Sequence, residues 1–301
     1  MGVSSKSVTF MEERITMSKT PKKLPYVYEF DKDDTEGIYK CNELHGFAVV
    51  KGLLPQDIVD KLKAEVRRTL EDESDSTPGT TRFATSFIEQ SPTLADLLTY
   101  EPYMKIARRL YGNEPISLNR SAAIYKKPGA PVGAWHTDWQ PRVHPYGVDG
   151  VLNTTGANSN WFYLNGTHPD RAGISIIPDS HTEEWEGPKG FEFTSRRKSF
   201  YRKGTEPEAC VEMDFDEAFS LFTDPGDMIV FAERTYHGVH AHNGTETRLS
   251  CALSFRTKGQ QFDEVWPLPE SARTFIANCP VGVKPLVEEY LGMGKSWSST
   301  K

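Results

Sequence analysis

The sequence predicts a mainly β protein with flanking helices, and three observations carry that expectation. Before residue 116 the apolar residues recur at helical spacing, as Ile58, Leu62, Val66 and Leu70 do with charges between them. After it, short apolar runs alternate with Gly, Pro, Asn and Asp turns. Near the end of that region Leu249, Cys251, Leu253 and Phe255 alternate with Arg248, Ser250, Ala252, Ser254 and Arg256, the pattern of a strand with one apolar and one polar face. A chain of 301 residues is long enough to bury a full core, and its 11% aromatic content suits a packed enzyme-like interior.

Taken in order, residues 1–25 are rich in Ser, Thr and Lys and read as a disordered or loosely attached tail. Residues 26–295 read as one domain, with a helical first part and a β core over about 116–260. A short helix is expected within 34–45, then a strand from Phe47 that ends at Gly52. Pro55 suits the first turn of the amphipathic helix carrying Ile58 to Leu70. Residues 72–81 are acidic and turn-like, and a second helix covers 93–111, interrupted near Pro102 and stopped at Gly112. Candidate strands follow at Ser117–Tyr125, Gly133–Asp138, Trp161–Leu164, Gly173–Ile177, Met228–Phe231 and Arg248–Arg256. Two long connections, Gln140–Asn160 and Thr182–Leu221, have the length of lids or binding loops. A short helix is expected near Pro285–Leu291.

Composition narrows the function classes. A net charge of −7 gives no electrostatic case for nucleic acid. No run of eighteen apolar residues is present, so no membrane span is expected. The polar start lacks a hydrophobic signal region, and Lys6 breaks the myristoylation pattern that Gly2 would open. Cys41, Cys210, Cys251 and Cys279 are scattered without metal-type spacing, as reduced thiols of a cytoplasmic protein would be. The Asn-x-Ser/Thr patterns at Asn119, Asn153, Asn165 and Asn243 read as chance matches.

The chemistry centres on Ala134-Trp135-His136-Thr137-Asp138-Trp139. On an extended strand His136 and Asp138 project from the same face, setting an imidazole beside a carboxylate. Three histidines compete for the third position of a metal site: His237, His240 and His242. His237 is preferred, because it follows an apolar strand set up by the turn Asp224-Pro225-Gly226-Asp227, whereas His240 and His242 read as surface residues. Two histidines and a carboxylate with open positions opposite are the ligand set of non-haem Fe(II) oxygenases. Arg248 and Ser250 share one strand face, where a guanidinium fork and a hydroxyl suit the distal carboxylate of a dicarboxylate co-substrate.

His136-x-Asp138, His237 and Arg248-x-Ser250 together resemble the Fe(II)/2-oxoglutarate dioxygenases, and more narrowly the phytanoyl-CoA dioxygenase family. Gly46–Leu54 before a helix, Lys127-Pro128-Gly129 and Gly173–His181 are similar to further stretches of that family, so the resemblance covers about 40–260. Asp179 departs from it, standing where a glycine is usual; Asp tolerates left-handed backbone better than most residues. The resemblance implies a double-stranded β-helix (jelly-roll, cupin-like) core with helices packed on one sheet. It implies Fe(II) held by His136, Asp138 and His237, with 2-oxoglutarate and O2 as co-substrates. By offset from Lys127, Ser121 and Tyr125 are further candidates for the 2-oxoglutarate site.

The implied activity is hydroxylation of an unactivated C–H bond of a small metabolite, releasing succinate and CO2. Desaturation, cyclisation or epimerisation by the same radical chemistry is the alternative. A cupin dioxygenase without 2-oxoglutarate and a non-catalytic jelly-roll binding module are the rivals from other classes. Trp139, Tyr146, Trp161, Tyr163 and Trp185, with Phe191, are the expected walls of the substrate pocket; Arg196, Arg197 and Lys198 could meet an anionic substrate, although a charge run of this kind more often reads as a solvated face. The mixed aromatic and cationic lining favours a substrate with a carboxylate.

Overall fold

The computed structural model describes residues 22–138, 158–182, 184–259 and 267–292. Its first part interleaves strands and helices: β1 (Glu29–Asp31), α1 (Thr35–His45), β2 (Phe47–Lys51), α2 (Gln56–Leu70), β3 (Thr81–Thr85), α3 (Pro92–Asp96) and α4 (Glu101–Arg109). Strands then dominate: β4 (Ile116–Lys126), β5 (Gly133–His136), β6 (Asn158–Tyr163), β7 (Ile174–Ile176), β8 (Phe191–Phe193), β9 (Phe200–Arg202), β10 (Phe219–Ser220), β11 (Met228–Ala232), β12 (His237–Val239) and β13 (Arg248–Thr257). Two helices close the described chain, α5 (Glu270–Asn278) and α6 (Lys284–Val287).

Two sheets face each other. The major sheet runs β1-β2-β11-β6-β13-β4-β3, and the minor sheet runs β10-β7-β12-β5. Alternation along each major strand assigns one face to the helices and the other to the space between the sheets. In β2, Ala48 and Val50 join the helical core while Phe47 and Val49 point between the sheets; in β11, Met228 and Val230 divide from Ile229 and Phe231 in the same way. β13 follows its sequence pattern, with Leu249, Cys251, Leu253 and Phe255 turned to the helices. This is the jelly-roll core with flanking helices.

The helices form for local reasons. Asp34 caps α1 by accepting from Gly37 N at 2.9 Å, and Gly46 ends it at φ 76°. α2 lays Val59, Leu62, Val66 and Leu70 on the sheet, burying side chains worth about 1.5–3 kcal/mol each. The expected second helix is two, α3 and α4, because Pro102 opens α4 and removes the backbone donor an unbroken helix would need.

Two expectations are corrected here. β3, in a stretch assigned no element from the sequence, pairs with β4 and completes the edge of the major sheet. The connection Thr182–Leu221 is not an open loop. It contains the β8–β9 hairpin and a satellite core of Phe191, Phe200, Cys210 and Ala218 packed on Trp135, Ile177 and Tyr236. The connection carries enough aromatic residues to exclude water from its own interior, so it folds onto the minor sheet. Among the described residues no helix is long and apolar enough to cross a membrane.

Candidate active site

β5 and β12 are antiparallel neighbours, with His237 directly opposite His136. Asp138 follows two residues beyond the His136 end of β5. Ligand-type atoms of His136, Asp138 and His237 all lie within 4.8 Å of one another, and the two imidazole centroids are 4.3 Å apart. The strand pairing thus brings together three residues separated by a hundred positions in sequence.

Each imidazole is oriented from behind. His136 Nδ1 donates to Ala134 O at 2.8 Å, and His237 Nδ1 donates to Thr235 O at 3.0 Å. Both Nε2 lone pairs are then free for a metal. Burial lowers the pKa of His136, and burial together with His136 takes that of His237 down to about 4, so both rings are neutral. Burial pushes the Asp138 carboxyl upward, but Arg120, His237, His136 and Lys198 together outweigh it and hold the group well below the usual carboxylate range. Two neutral imidazoles and one carboxylate suit a first-row divalent metal such as Fe(II).

Further charges surround this cluster. Arg120, on the cavity face of β4, bridges Glu233 Oε1 at 2.6 Å and Asp138 Oδ2 at 3.3 Å. Ser254 Oγ donates to the same Glu233 oxygen at 3.1 Å, and Thr137 Oγ1 donates to Glu233 O at 2.7 Å. Lys198 is not part of a solvated face: its Nζ donates to Thr137 O, and it acts electrostatically on Asp138.

Gly46 ties the helical layer to the metal-bearing turn. Its carbonyl accepts from Thr235 Oγ1 at 2.7 Å, and a Cβ at position 46 would stand 2.6 Å from that oxygen and 2.7 Å from His181 Nδ1. Asp179 adopts φ 62°, so the left-handed turn survives the departure from glycine, and its Oδ1 meets His45 Nδ1 at 2.7 Å.

A cavity of about 390 Å³ lies between the sheets, with His136, Asp138 and His237 on its wall. Arg248 borders the same cavity and is only 3% exposed. Its Nη1 donates to Ala172 O at 2.7 Å, its guanidinium carbon lies 5.1 Å from the Tyr163 ring centroid, and its Nε has no partner among the described residues. Ser250 Oγ is likewise buried without a partner there. Buried donors left open beside a cavity fit an anionic ligand such as the far carboxylate of 2-oxoglutarate.

The other expected site residues divide. Trp161 and Tyr163 line the cavity, while Trp139 and Tyr146 lie outside the described residues. Trp185 packs on Tyr236 with tilted rings and centroids 4.8 Å apart, and Phe191 packs on Phe200 at 5.3 Å; both belong to the satellite core instead of the cavity wall. Tyr125 is turned away from the cavity, its hydroxyl donating to Glu71 Oε1 at 3.0 Å. Ser121 borders the cavity, but its hydroxyl accepts from Ile88 N at 3.0 Å on the helical side. Along β4 it is Arg120, Ala122, Ile124 and Lys126 that alternate onto the cavity, with Ser121 also bordering it.

His240 and His242 are buried, not superficial. His240 Nε2 lies 2.8 Å from Ser175 Oγ and 3.0 Å from Ser220 Oγ, and His242 is 1% exposed. Neither stands in the metal cluster.

The fold has known counterparts. The model of the phytanoyl-CoA dioxygenase (PhyH) family matches residues 43–250. A 1-deoxypentalenic acid 11-beta-hydroxylase of Streptomyces arenae is 25% identical over an alignment of 275 residues that covers 80% of this chain and 88% of that protein. Among solved structures, HygX from Streptomyces hygroscopicus, crystallised with nickel and 2-oxoglutarate, superposes with a TM-score of 0.57 at 16% identity over 74% of this chain and 87% of that one. The non-heme alpha ketoglutarate dependent epimerase SnoN from nogalamycin biosynthesis gives 0.54 at 19% identity over 74% and 83%. With the family model covering more than half of the sequence, this chain belongs to the phytanoyl-CoA dioxygenase family.

Proposed function

We propose that this protein is an Fe(II)- and 2-oxoglutarate-dependent dioxygenase that hydroxylates an unactivated C–H bond of a small metabolite, with release of succinate and CO2. The observation that carries the reading is the placing of His136, Asp138 and His237 on the same cavity as the buried cation Arg248. When bound, iron would offer an open coordination position for O2, and oxidation of 2-oxoglutarate to succinate and CO2 would supply the electrons that reduce it. The chain's own residues supply the geometry. His136 and His237 present neutral Nε2 atoms because Ala134 O and Thr235 O hold their Nδ1 protons. Arg120 steadies the Asp138 oxygen while Glu233 balances its charge. Arg248 and Ser250 hold the tail of the co-substrate.

Phe83, Ile124, Trp161 and Phe231 give the cavity hydrocarbon walls, and Arg120 there is already neutralised by Glu233 and Asp138. The substrate thus presents an apolar surface to the reacting centre, and the cations with open donors in this cavity, Arg248 and Lys126, stand together at its co-substrate end. The S. arenae relative is a hydroxylase, while a neighbour of the same fold is a carbocyclase and another an epimerase, so ring closure and epimerisation are the alternative outcomes. The four free cysteines, three of them buried, support a cytoplasmic setting.

The test is a screen of small apolar metabolites with Fe(II), 2-oxoglutarate and O2, reading succinate and product mass. Substrate-dependent succinate with a gain of one oxygen is expected. Turnover that needs metal but not 2-oxoglutarate would defeat the proposal in favour of a cupin dioxygenase.

A further inference from the structure

The cavity carries more positive charge at its Arg248 end than one guanidinium. Lys126, the last residue of β4, stands directly opposite Arg248 in the antiparallel ladder. Both side chains leave the same face of the sheet and border the cavity. They are 6% and 3% exposed. Lys126 Nζ donates to Pro131 O at 3.0 Å, which leaves it two further protons to donate. Among the described residues neither cation forms an ion pair with a carboxylate. Of the titratable groups coupled to them, His242 is pushed toward its neutral form and Tyr163 is a phenol that burial keeps protonated, so neither brings a negative charge. Burial and Arg248 lower the pKa of Lys126 to about 8. Like charges facing each other across a sheet are destabilising, more so when dry. With Arg248 Nε and Ser250 Oγ also lacking partners, an anion in this corner would satisfy every open group at once.

We propose that Lys126 is the second cation of the co-substrate site and shares the distal carboxylate of 2-oxoglutarate with Arg248. The proposal rests on the co-substrate assignment made above. The two side chains are complementary: the fork of Arg248 fixes the plane of the carboxylate, and the point charge of Lys126 takes a remaining lone pair. Two charges at this corner make the protein demand a dicarboxylate 2-oxo acid where a single fork would discriminate less.

The test uses the full chain loaded with Mn(II) without oxygen, titrated calorimetrically with 2-oxoglutarate and with 2-oxopentanoate, which has the same chain length and no distal carboxylate. Wild type is expected to prefer 2-oxoglutarate strongly. Lys126→Met should weaken 2-oxoglutarate by about 10- to 100-fold. It should leave 2-oxopentanoate and Mn(II) affinity within about twofold, and Lys126→Arg should recover most of the loss. Lys126→Gln serves as a second neutral variant should the methionine variant not fold. An unchanged 2-oxoglutarate affinity in the neutral variant overturns the proposal, as does equal weakening of both oxo acids. Wild type that fails to prefer 2-oxoglutarate overturns the co-substrate assignment itself, and the role of Lys126 with it.

Discussion

Replacing Arg120 with methionine keeps most of the side-chain volume and removes the cation between Asp138 and Glu233. The wild-type contacts are 3.3 and 2.6 Å, and the Glu233 side chain is 3% exposed against 16% for Arg120 and 23% for Asp138. Breaking a buried ion pair costs about 3–5 kcal/mol, because the partner charge is left behind. Ser254 Oγ still donates to Glu233, and Lys198 still acts on Asp138, so the lower end applies, about 3 kcal/mol. At roughly 2–4 °C per kcal/mol for a chain of this size, the melting temperature should fall by about 6–12 °C. Calorimetric melting of the metal-free protein measures it. Mn(II) should then raise the melting temperature of the variant more than that of wild type, since the metal replaces the missing cation beside Asp138. Adding Glu233→Gln should restore part of the lost stability by removing the stranded charge. A shift under about 2 °C in Arg120→Met, or a double variant less stable than the sum of its parts, would refute the clamp.

Other outcomes test the remaining assignments. His237→Ala should abolish Mn(II) binding measured by paramagnetic resonance, whereas His240→Ala should keep it and lose about 1–3 kcal/mol of stability as the Ser175 and Ser220 hydroxyls lose their shared partner. The reverse pattern would move the third ligand to His240. Trp185→Ala should cost roughly 2–4 kcal/mol through the satellite core without altering product identity; a changed product would return Trp185 to the substrate wall. Lys126 has a folded pKa near 8 against an ordinary 10.5, so the unfolded chain holds the proton between those values. Its penalty on folding is full below about pH 8 and is relieved as pH rises toward 10.5. The stability of wild type relative to Lys126→Met, from urea melts of metal-free protein, should therefore rise across that window; a flat difference would show that Lys126 is not buried as a cation.

The order of helices and strands was legible because each element announces its own period. β4, β11 and β13 are long alternating or apolar runs, and α2 repeats every fourth residue. Short pieces were not legible: β12 is three residues and β10 two, held by their partners instead of their own propensity. The metal cluster was readable since His136 and Asp138 share a strand end and His237 follows an apolar strand. The Tyr125 hydroxyl turns away from the cavity because a one-residue step along β4 exchanges its two faces, and the same alternation hid Arg120 and Lys126. Glu233 was invisible for another reason: it follows the end of β11, and its contact with Arg120 of β4 spans 113 residues of sequence. Aromatic content suggested a substrate wall at Trp185 and Phe191, yet composition cannot say which cavity an aromatic ring fills.

The absent side chain at Gly46 reaches further than its neighbours in sequence suggest. A methyl group there would press on Thr235, and the Thr235 carbonyl is what aims the ring of His237. A saturating mutational survey scored for iron retention should therefore single out this position beside the ligands themselves, although it has no side chain to offer a metal. The hand-over from helix to sheet is in that sense a remote part of the metal's coordination.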